Sequence, residues 1–403
     1  MSKMVVTGYG IKAPNTANID QFLHHLKNGT CCLEVVTNLS GNHKSTIVGL
    51  IDNRTLQPPK DKLYKRLPRT ALLGVAAGKE ALTYAKLGNT KKKKVGVFFG
   101  TSVGNIGDYD FQEALWNANQ HNEREIPITF GHIGNYHSIT SSISYFLGGN
   151  DVTKTISTGC TSSLEAIQDA IVYLKSGLID IAIVGGVDSP ISKAAFYSFS
   201  KTKVLPINQS LEEGAVPFQS SSKGFAMAEG AGVIVLERDS DALQRGAYIF
   251  GEIDNIVSNN DGVHIYSLDA SGDKMIKALR EAVTNRLPDY VNSQALGIQI
   301  NDRIEKKVSQ ELFNHTVPFT SIKSMFGNPF GAIGIIQVIS SLLSINNSFI
   351  PPTIRTDKSG YEEMNIVMEP IFKPINEVAI TNHGYGGNNA SAYIKRYIKE
   401  ETT

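Results

Sequence analysis

The 403-residue sequence predicts an α/β protein of two coarsely similar halves whose sheets are buried on both faces. Two observations carry this. Short runs rich in Val and Ile alternate with longer helical patterns along the chain, and both halves end in a glycine-rich approach to a last strand. The first strand is expected at Met4–Thr7, an apolar run closed by a glycine turn. A helical pattern follows at Thr70–Tyr84, then Val95–Phe99, an unbroken apolar run of strand length. Ser162–Ser176 reads as a long amphipathic helix, and Ile181–Val184 and Gly232–Leu236 as interior strands. A seam is expected at Arg238–Gly246, dividing the chain into residues 1–238 and 247–403. The second half reads as strand Tyr248–Ile253, helix Lys274–Thr284, strand Leu296–Ile300, helix Gly331–Leu343 and strand Val378–Thr381. Neither half holds a Pro/Ser-rich linker or a solenoid repeat.

Hydrophobic residues make up 41% and charged residues 19%, a globular balance. A formal net charge of +1 excludes a broad electrostatic footprint for nucleic acid, and gives no reason to expect an anionic membrane surface as partner. The dense run Lys91–Lys94 reads as a solvated loop before its strand; a small docking patch for an acidic partner is the sharper alternative. Three cysteines exclude a disulfide scaffold and point to a reducing compartment. Cys31 and Cys32 are adjacent, so they do not form a zinc-type Cys-x-x-Cys pair and are expected to be packing or surface residues. The nine histidines show no metal-ligand spacing, and neither metal nor cofactor is expected. No signal-peptide segment opens the chain, and no stretch reaches about 18 uninterrupted apolar residues. A soluble, cytoplasmic protein without a membrane span is therefore expected.

The run Lys154-Thr155-Ile156-Ser157-Thr158-Gly159-Cys160-Thr161-Ser162-Ser163-Leu164-Glu165 is the richest in chemistry. A β-biased stretch ends in Gly159, and Cys160 stands where a long helix begins. A thiol there feels the positive end of the helix macrodipole and free N–H groups, which lower cysteine pKa values to roughly 3.5–7.5. Cys160 is thus a candidate nucleophile that needs no adjacent base. A small buried hydrophobe filling a tight strand–helix corner would read the same way. No Gly-x-Ser-x-Gly surrounds Ser162 or Ser163, so an α/β-hydrolase elbow fits poorly. Gly384-Tyr385-Gly386-Gly387-Asn388-Asn389 lacks dinucleotide-binding spacing; its small residues suit close backbone approach to a ligand or another loop, or a plain turn.

Thr158-Gly159-Cys160-Thr161-Ser162-Ser163-Leu164-Glu165-Ala166-Ile167 resembles the active-site segment of β-ketoacyl-acyl-carrier-protein synthases, which have the thiolase fold. Further matches follow in family order: Asp180–Asp188 with its glycine pair, Pro217-Phe218-Gln219 with Gly224–Gly232, Lys323–Gly327 with Gly331–Gly334, and Gly384–Asn389. The resemblance covers essentially the whole chain. It implies a layered α-β-α-β-α sandwich and a dimer formed through the sheet edge near the cysteine. It also implies an acyl-carrier-protein partner whose phosphopantetheine thioester loads an acyl group onto Cys160. Gly384, Tyr385 and Gly386 fall in the substrate-binding segment. An oxyanion hole is implied from the backbone N–H groups of Cys160 and His383.

The chain departs from the family where condensation is carried out. Of two family histidines, one is replaced by Asn328, and the loop carrying the other is absent before Asn301-Asp302-Arg303-Ile304-Glu305. The acidic residue of the last long helix becomes Gln337, whereas Lys323 is retained. His383 replaces a phenylalanine, placing an imidazole where it can supply part of the lost donor set together with the Asn328 amide; simple tolerance of the space is the bland alternative. Losing one donor to a developing oxyanion costs about 10²–10³ in rate. The resemblance therefore implies loading of Cys160 with condensation altered or impaired, supported by Lys323, Asn328 and His383. Two other readings are a non-catalytic chain-length-factor-like partner of an active synthase, as homodimer or heterodimer, and a malonyl-carrier-protein decarboxylase.

Overall fold

The computed structural model describes residues 2–39, 43–56, 61, 63–64, 67–88, 90 and 92–399. Ten strands form one sheet in the spatial order Phe319–Thr320, Tyr290–Asn292, Glu377–Gly384, Asn388–Lys395, Gly251–Asn260, Met4–Lys12, Gly230–Arg238, Ile181–Asp188, Val95–Gly100 and Thr153–Ile156. The order has a hidden repeat. Counted from its own first strand, each set of five runs third, second, fourth, fifth, first. In each, the second strand is parallel to the third and fourth, and the fifth is antiparallel to the fourth and first. The two first strands meet through only two residue pairs, Val5 with Glu252 and Val6 with Gly251.

Three helical layers cover these sheets. Helices Ser162–Lys175 and Ile333–Asn347 lie between the two halves, where Leu164, Ile167, Ile335 and Leu342 share one core with Val6, Ile234, Ile380 and Ala390. Arg69–Ala85 and His137–Leu147 cover the outside of the first half, packing Leu73, Ala81 and Ile143 on Val97 and Val235. Asp273–Val283 and Gln299–Phe313 do the same for the second, with Leu279 and Val308 on Val291 and Tyr393. The layering is α-β-α-β-α. Residues Phe330–Asn347 are long and apolar enough to cross a membrane, yet 89% of that stretch is buried in the protein. A central-layer helix touches sheets on both sides and is apolar all round for that reason. Gly8 and Gly10 allow the outer helix to sit directly on the first strand: a Cβ at Gly8 would lie 2.3 Å from the Ala81 carbonyl.

Most predicted elements stand within a few residues. The strand expected at Tyr248–Ile253 starts later and runs Gly251–Asn260. Leu296–Ile300 is not a strand. The strand of that region is Tyr290–Asn292, and Gln299 already opens a helix. The cause is Asp302, whose buried carboxylate accepts the N–H groups of Leu296 at 2.9 Å, of Gly297 and of Phe218 at 2.8 Å. Backbone donors held by a side chain are lost to a ladder. Lys92, Lys93 and Lys94 are exposed before Val95, while Lys91 lies outside the described residues. Cys32 is buried and Cys31 half-buried, and all three cysteines are free.

Candidate active site

Strand Thr153–Ile156 leads into a 3₁₀ turn, Gly159–Thr161, and then into helix Ser162–Lys175. Gly159 sits at φ +72°, where an L side chain would be strained. Side chains of the turn hold it closed. Thr158 N–H donates to Ser162 Oγ at 2.9 Å, and Thr161 Oγ1 lies within hydrogen-bond distance of Thr158 O at 2.9 Å and Glu165 Oε1 at 2.7 Å. Asn388 of the second half donates its Nδ2 to Thr158 O at 3.0 Å. Cys160 is therefore gripped from both halves. At Gly384 a Cβ would come within 3.1 Å of its Sγ, so only glycine lets the last strand approach the thiol this closely.

Cys160 opens on a cavity of about 410 Å³ that Asn301, Asn328, His383, Gly384 and Tyr385 also line. The remaining wall is mostly apolar, with Val103, Phe199, Val204, Phe225, Leu296 and Phe330. Two of the sequence candidates do not line it. Lys323 is buried behind the wall and donates from Nζ to Ser293 O at 2.9 Å. Gly386 instead accepts, through its carbonyl, from Asn260 Nδ2 at 2.8 Å.

Burial pushes the Cys160 thiol up to about 11, against the opposing pull of a hydrogen bond with Asn328 and the charge of Lys323. The expectation of a thiol lowered by its helix is thereby corrected: desolvation of the thiolate outweighs the donors around it. Asn328 accepts the Phe330 N–H on Oδ1 at 3.2 Å, which leaves its NH₂ group as the end that can donate to sulfur. Burial likewise pushes Lys323 down to about 7, although Glu305, Cys160 and Asp302 act in the other direction.

Both ring nitrogens of His383 are engaged. Nε2 lies 2.9 Å from Glu305 Oε1 and Nδ1 lies 3.1 Å from Asn301 Nδ2. Glu305 Oε2 accepts from Ser293 Oγ and Thr381 Oγ1, each at 2.8 Å. A neutral imidazole with its proton on Nε2 would donate to Glu305 and accept from the Asn301 amide on Nδ1. His383 borders the cavity with neither nitrogen free. Gln337 is also fully used: Nε2 donates to Asn292 O at 2.9 Å and Thr381 O at 3.2 Å, and Oε1 accepts from Asn382 Nδ2 at 3.2 Å. A carboxylate facing those two carbonyls would be repelled, which accounts for the amide. Residues 293–298 connect strand Tyr290–Asn292 to the next helix, and Leu296 and Ile298 of that connection line the cavity.

Three contributors escaped the sequence reading. Asp188 accepts from Thr101 Oγ1 at 2.7 Å and from the N–H groups of Ser102, Val103 and Gly331 at 2.8, 3.0 and 2.7 Å. It thus clamps two cavity walls, one from each half. Asn301 and Glu305 hold His383 as described. Asn301 and Glu305 stand four residues apart in helix Gln299–Phe313, the spacing that puts both on one helix face.

The chain matches the family models "Beta-ketoacyl synthase, N-terminal domain" over residues 1–242 and "Beta-ketoacyl synthase, C-terminal domain" over residues 250–357. It is 28% identical to the tetracenomycin polyketide synthase ketoacyl synthase alpha subunit of Streptomyces glaucescens, covering 98% of this chain and 97% of that one. It is 27% identical to 3-oxoacyl-[acyl-carrier-protein] synthase 2 of Staphylococcus aureus (strain N315), covering 98% of each. A solved type II polyketide synthase acyl-carrier protein in complex with its ketosynthase bound to the hexaketide superposes with a TM-score of 0.87 at 21% identity, over 98% of this chain and 100% of that one. That likeness shows the fold, which is thiolase-like.

Proposed function

The chain belongs to the β-ketoacyl synthase family, and from that premise we propose that it takes an acyl group from an acyl-carrier-protein thioester onto Cys160. Its setting is fatty-acid or polyketide biosynthesis, the chemistry of its relatives. One observation carries the reading: the Cys160 thiol stands at the wall of an apolar cavity of about 410 Å³ with the Asn328 amide beside it. An apolar cavity suits an acyl chain, and the thiol suits its carbonyl carbon. In the loading step a bond forms between Cys160 sulfur and the acyl carbon. The bond from that carbon to the carrier sulfur breaks, and the carrier thiol leaves with the proton that Cys160 gives up.

The backbone N–H groups of Cys160 and His383 are the proposed oxyanion donors, with Gly384 and Tyr385 bordering the chain. Lys323 supports the thiolate through its charge. Condensation is altered in this reading, because an amide at Asn328 replaces one imidazole and the other is absent. Donors aimed at a developing oxyanion are each worth about 10²–10³ in rate.

The same reading treats residues 1–238 and 247–403 as two halves, which the repeated strand order supports. It places the protein in the cytoplasm as a dimer. Support for the dimer comes from the sheet-edge strand Thr153–Ile156 and the exposed apolar side chains of Tyr109, Trp116, Ile128 and Tyr145 on the preceding segment.

Mass spectrometry of the protein incubated with acyl- and malonyl-carrier proteins tests the function. An acyl adduct that disappears in Cys160→Ala is expected. Absence of any adduct, with tight binding to a separate synthase subunit, would replace this reading by the chain-length-factor one. Carbon dioxide released from malonyl-carrier protein without elongation would identify a decarboxylase.

A further inference from the structure

We propose that Phe330 is a specificity-determining residue of this site, its ring a fixed stop that limits the length of the acyl chain held beside Cys160. This rests on the acyl-carrier reading above for the identity of the ligand and deepens it.

Phe330 stands two residues after Asn328, whose amide is beside the thiol, and lines the same cavity as Cys160. Among the described non-glycine residues lining that cavity, it alone has a positive φ, +48°. The left-handed region is strained for a bulky L side chain, whereas glycine occupies it freely. Such strain persists only where the surroundings fix the backbone, and it is concentrated where a side chain has a task.

The backbone of Phe330 is fixed on both sides. Its own N–H donates to Asn328 Oδ1 at 3.2 Å, and the next N–H, of Gly331, donates to the buried Asp188 Oδ2 at 2.7 Å. Pro329 restricts the preceding φ, at −86°. At Gly331 a Cβ would lie 2.7 Å from the Ser102 N, so the turn is pressed against the first half of the chain.

Held in this way, the ring meets two others. Its centroid lies 5.3 Å from that of Phe199 and 5.6 Å from that of Phe225, and those two are 6.0 Å apart. All three rings line the cavity. Phe225 and Phe330 are buried, and both pack in a core cluster with Phe196, Leu205 and Met227. Interiors are close-packed, so a ring backed by such a cluster has no room to retreat. A chain growing along the apolar wall gains about fourfold in affinity with each buried methylene. Where it meets the trio of rings, a further methylene must strain the wall or stay in water, and the gain stops. Of the three, Phe330 is the ring whose backbone is strained to present it.

The test uses the full chain and acyl-pantetheine amides, in which NH replaces the thioester sulfur, with saturated chains from two to twelve carbons. Calorimetry should show wild-type affinity climbing about fourfold per methylene and then breaking at a definite length. In Phe330→Ala and Phe330→Gly the break should move to longer chains by at least about two carbons, because the ring leaves space behind it. Glycine also relieves the backbone strain, and circular dichroism reports the folding of each variant. A role in core packing alone would leave the break where it is. The same break in the wild type and both variants, a wild-type affinity that climbs unbroken to twelve carbons, or no binding by the wild type overturns the length limit. If the break moves as expected but acyl-carrier proteins leave no adduct on Cys160, the acyl-carrier reading falls instead, so the two failures are told apart.

Discussion

At Cys160 two opposed effects meet, and their balance is measurable. The helix beginning at Ser162 favours the thiolate, but burial between the halves disfavours it and pushes the thiol up to about 11. Because the thiolate is the reactive form, iodoacetamide alkylation of Cys160 should rise about tenfold per pH unit from pH 7 to 10. A plateau near pH 7 in the mass-spectrometric time courses would mean that the macrodipole outweighs burial. Asn328→Leu removes a donor to a charged acceptor, worth about 1.5–3 kcal/mol, and should slow alkylation at pH 8 by at least about tenfold. At this scale the sequence was informative about identity and poor about partners. Cys160, Asn328 and His383 were all legible, the last two as departures from a pattern. That His383 would turn both nitrogens to Asn301 and Glu305 was not, because those contacts span about 80 residues of chain.

The helix Gln299–Phe313 shows how one buried side chain shapes an element and its neighbours. Asp302 binds backbone N–H groups of Leu296, Gly297 and Phe218, bending the chain out of the sheet immediately before the helix. An apolar run such as Leu296-Gly297-Ile298-Gln299-Ile300 has the composition of a strand, and nothing local reveals that its side chains line a cavity. Regular interior strands such as Val95–Gly100 were readable because local composition and burial agree there. Removing the acceptor in Asp302→Ala leaves buried donors unpaired, and urea unfolding should show a loss of about 2–4 kcal/mol. Burial also pushes Asp302 up to about 7 from 3.8. Between those values the unfolded chain releases this proton while the folded chain keeps it, so the Asp302 contribution to stability falls as pH rises from about 4 to 7. In Asp302→Asn that part of the slope should vanish; an unchanged pH profile of the urea midpoint would refute the assignment.

For the whole molecule, the decisive feature is that the site belongs to neither half alone. Cys160 comes from the first, Asn328, His383 and Gly384 from the second, and Asp188 ties a wall of one to a wall of the other. The repeated strand order that makes this possible was only coarsely visible in the sequence, since strand pairing is a long-range property. The same topology leaves Thr153–Ile156 at an edge of the sheet, one short strand before the Cys160 turn. An unprotected edge is a template for pairing, and Ile128, 99% exposed, is an apolar residue without cover in the single chain. Pairing of two edges would bury that segment and brace the Cys160 turn from outside. Mass photometry should therefore find a dimer. Ile128→Lys should weaken it about a hundredfold, the loss expected of a buried apolar anchor. Because Ile128 packs against nothing in the single chain, the variant should keep its unfolding midpoint when measured as a monomer. A wild-type protein that stays monomeric at micromolar concentration, or an Ile128→Lys variant that dimerises as well as wild type, would remove this edge from the proposed interface.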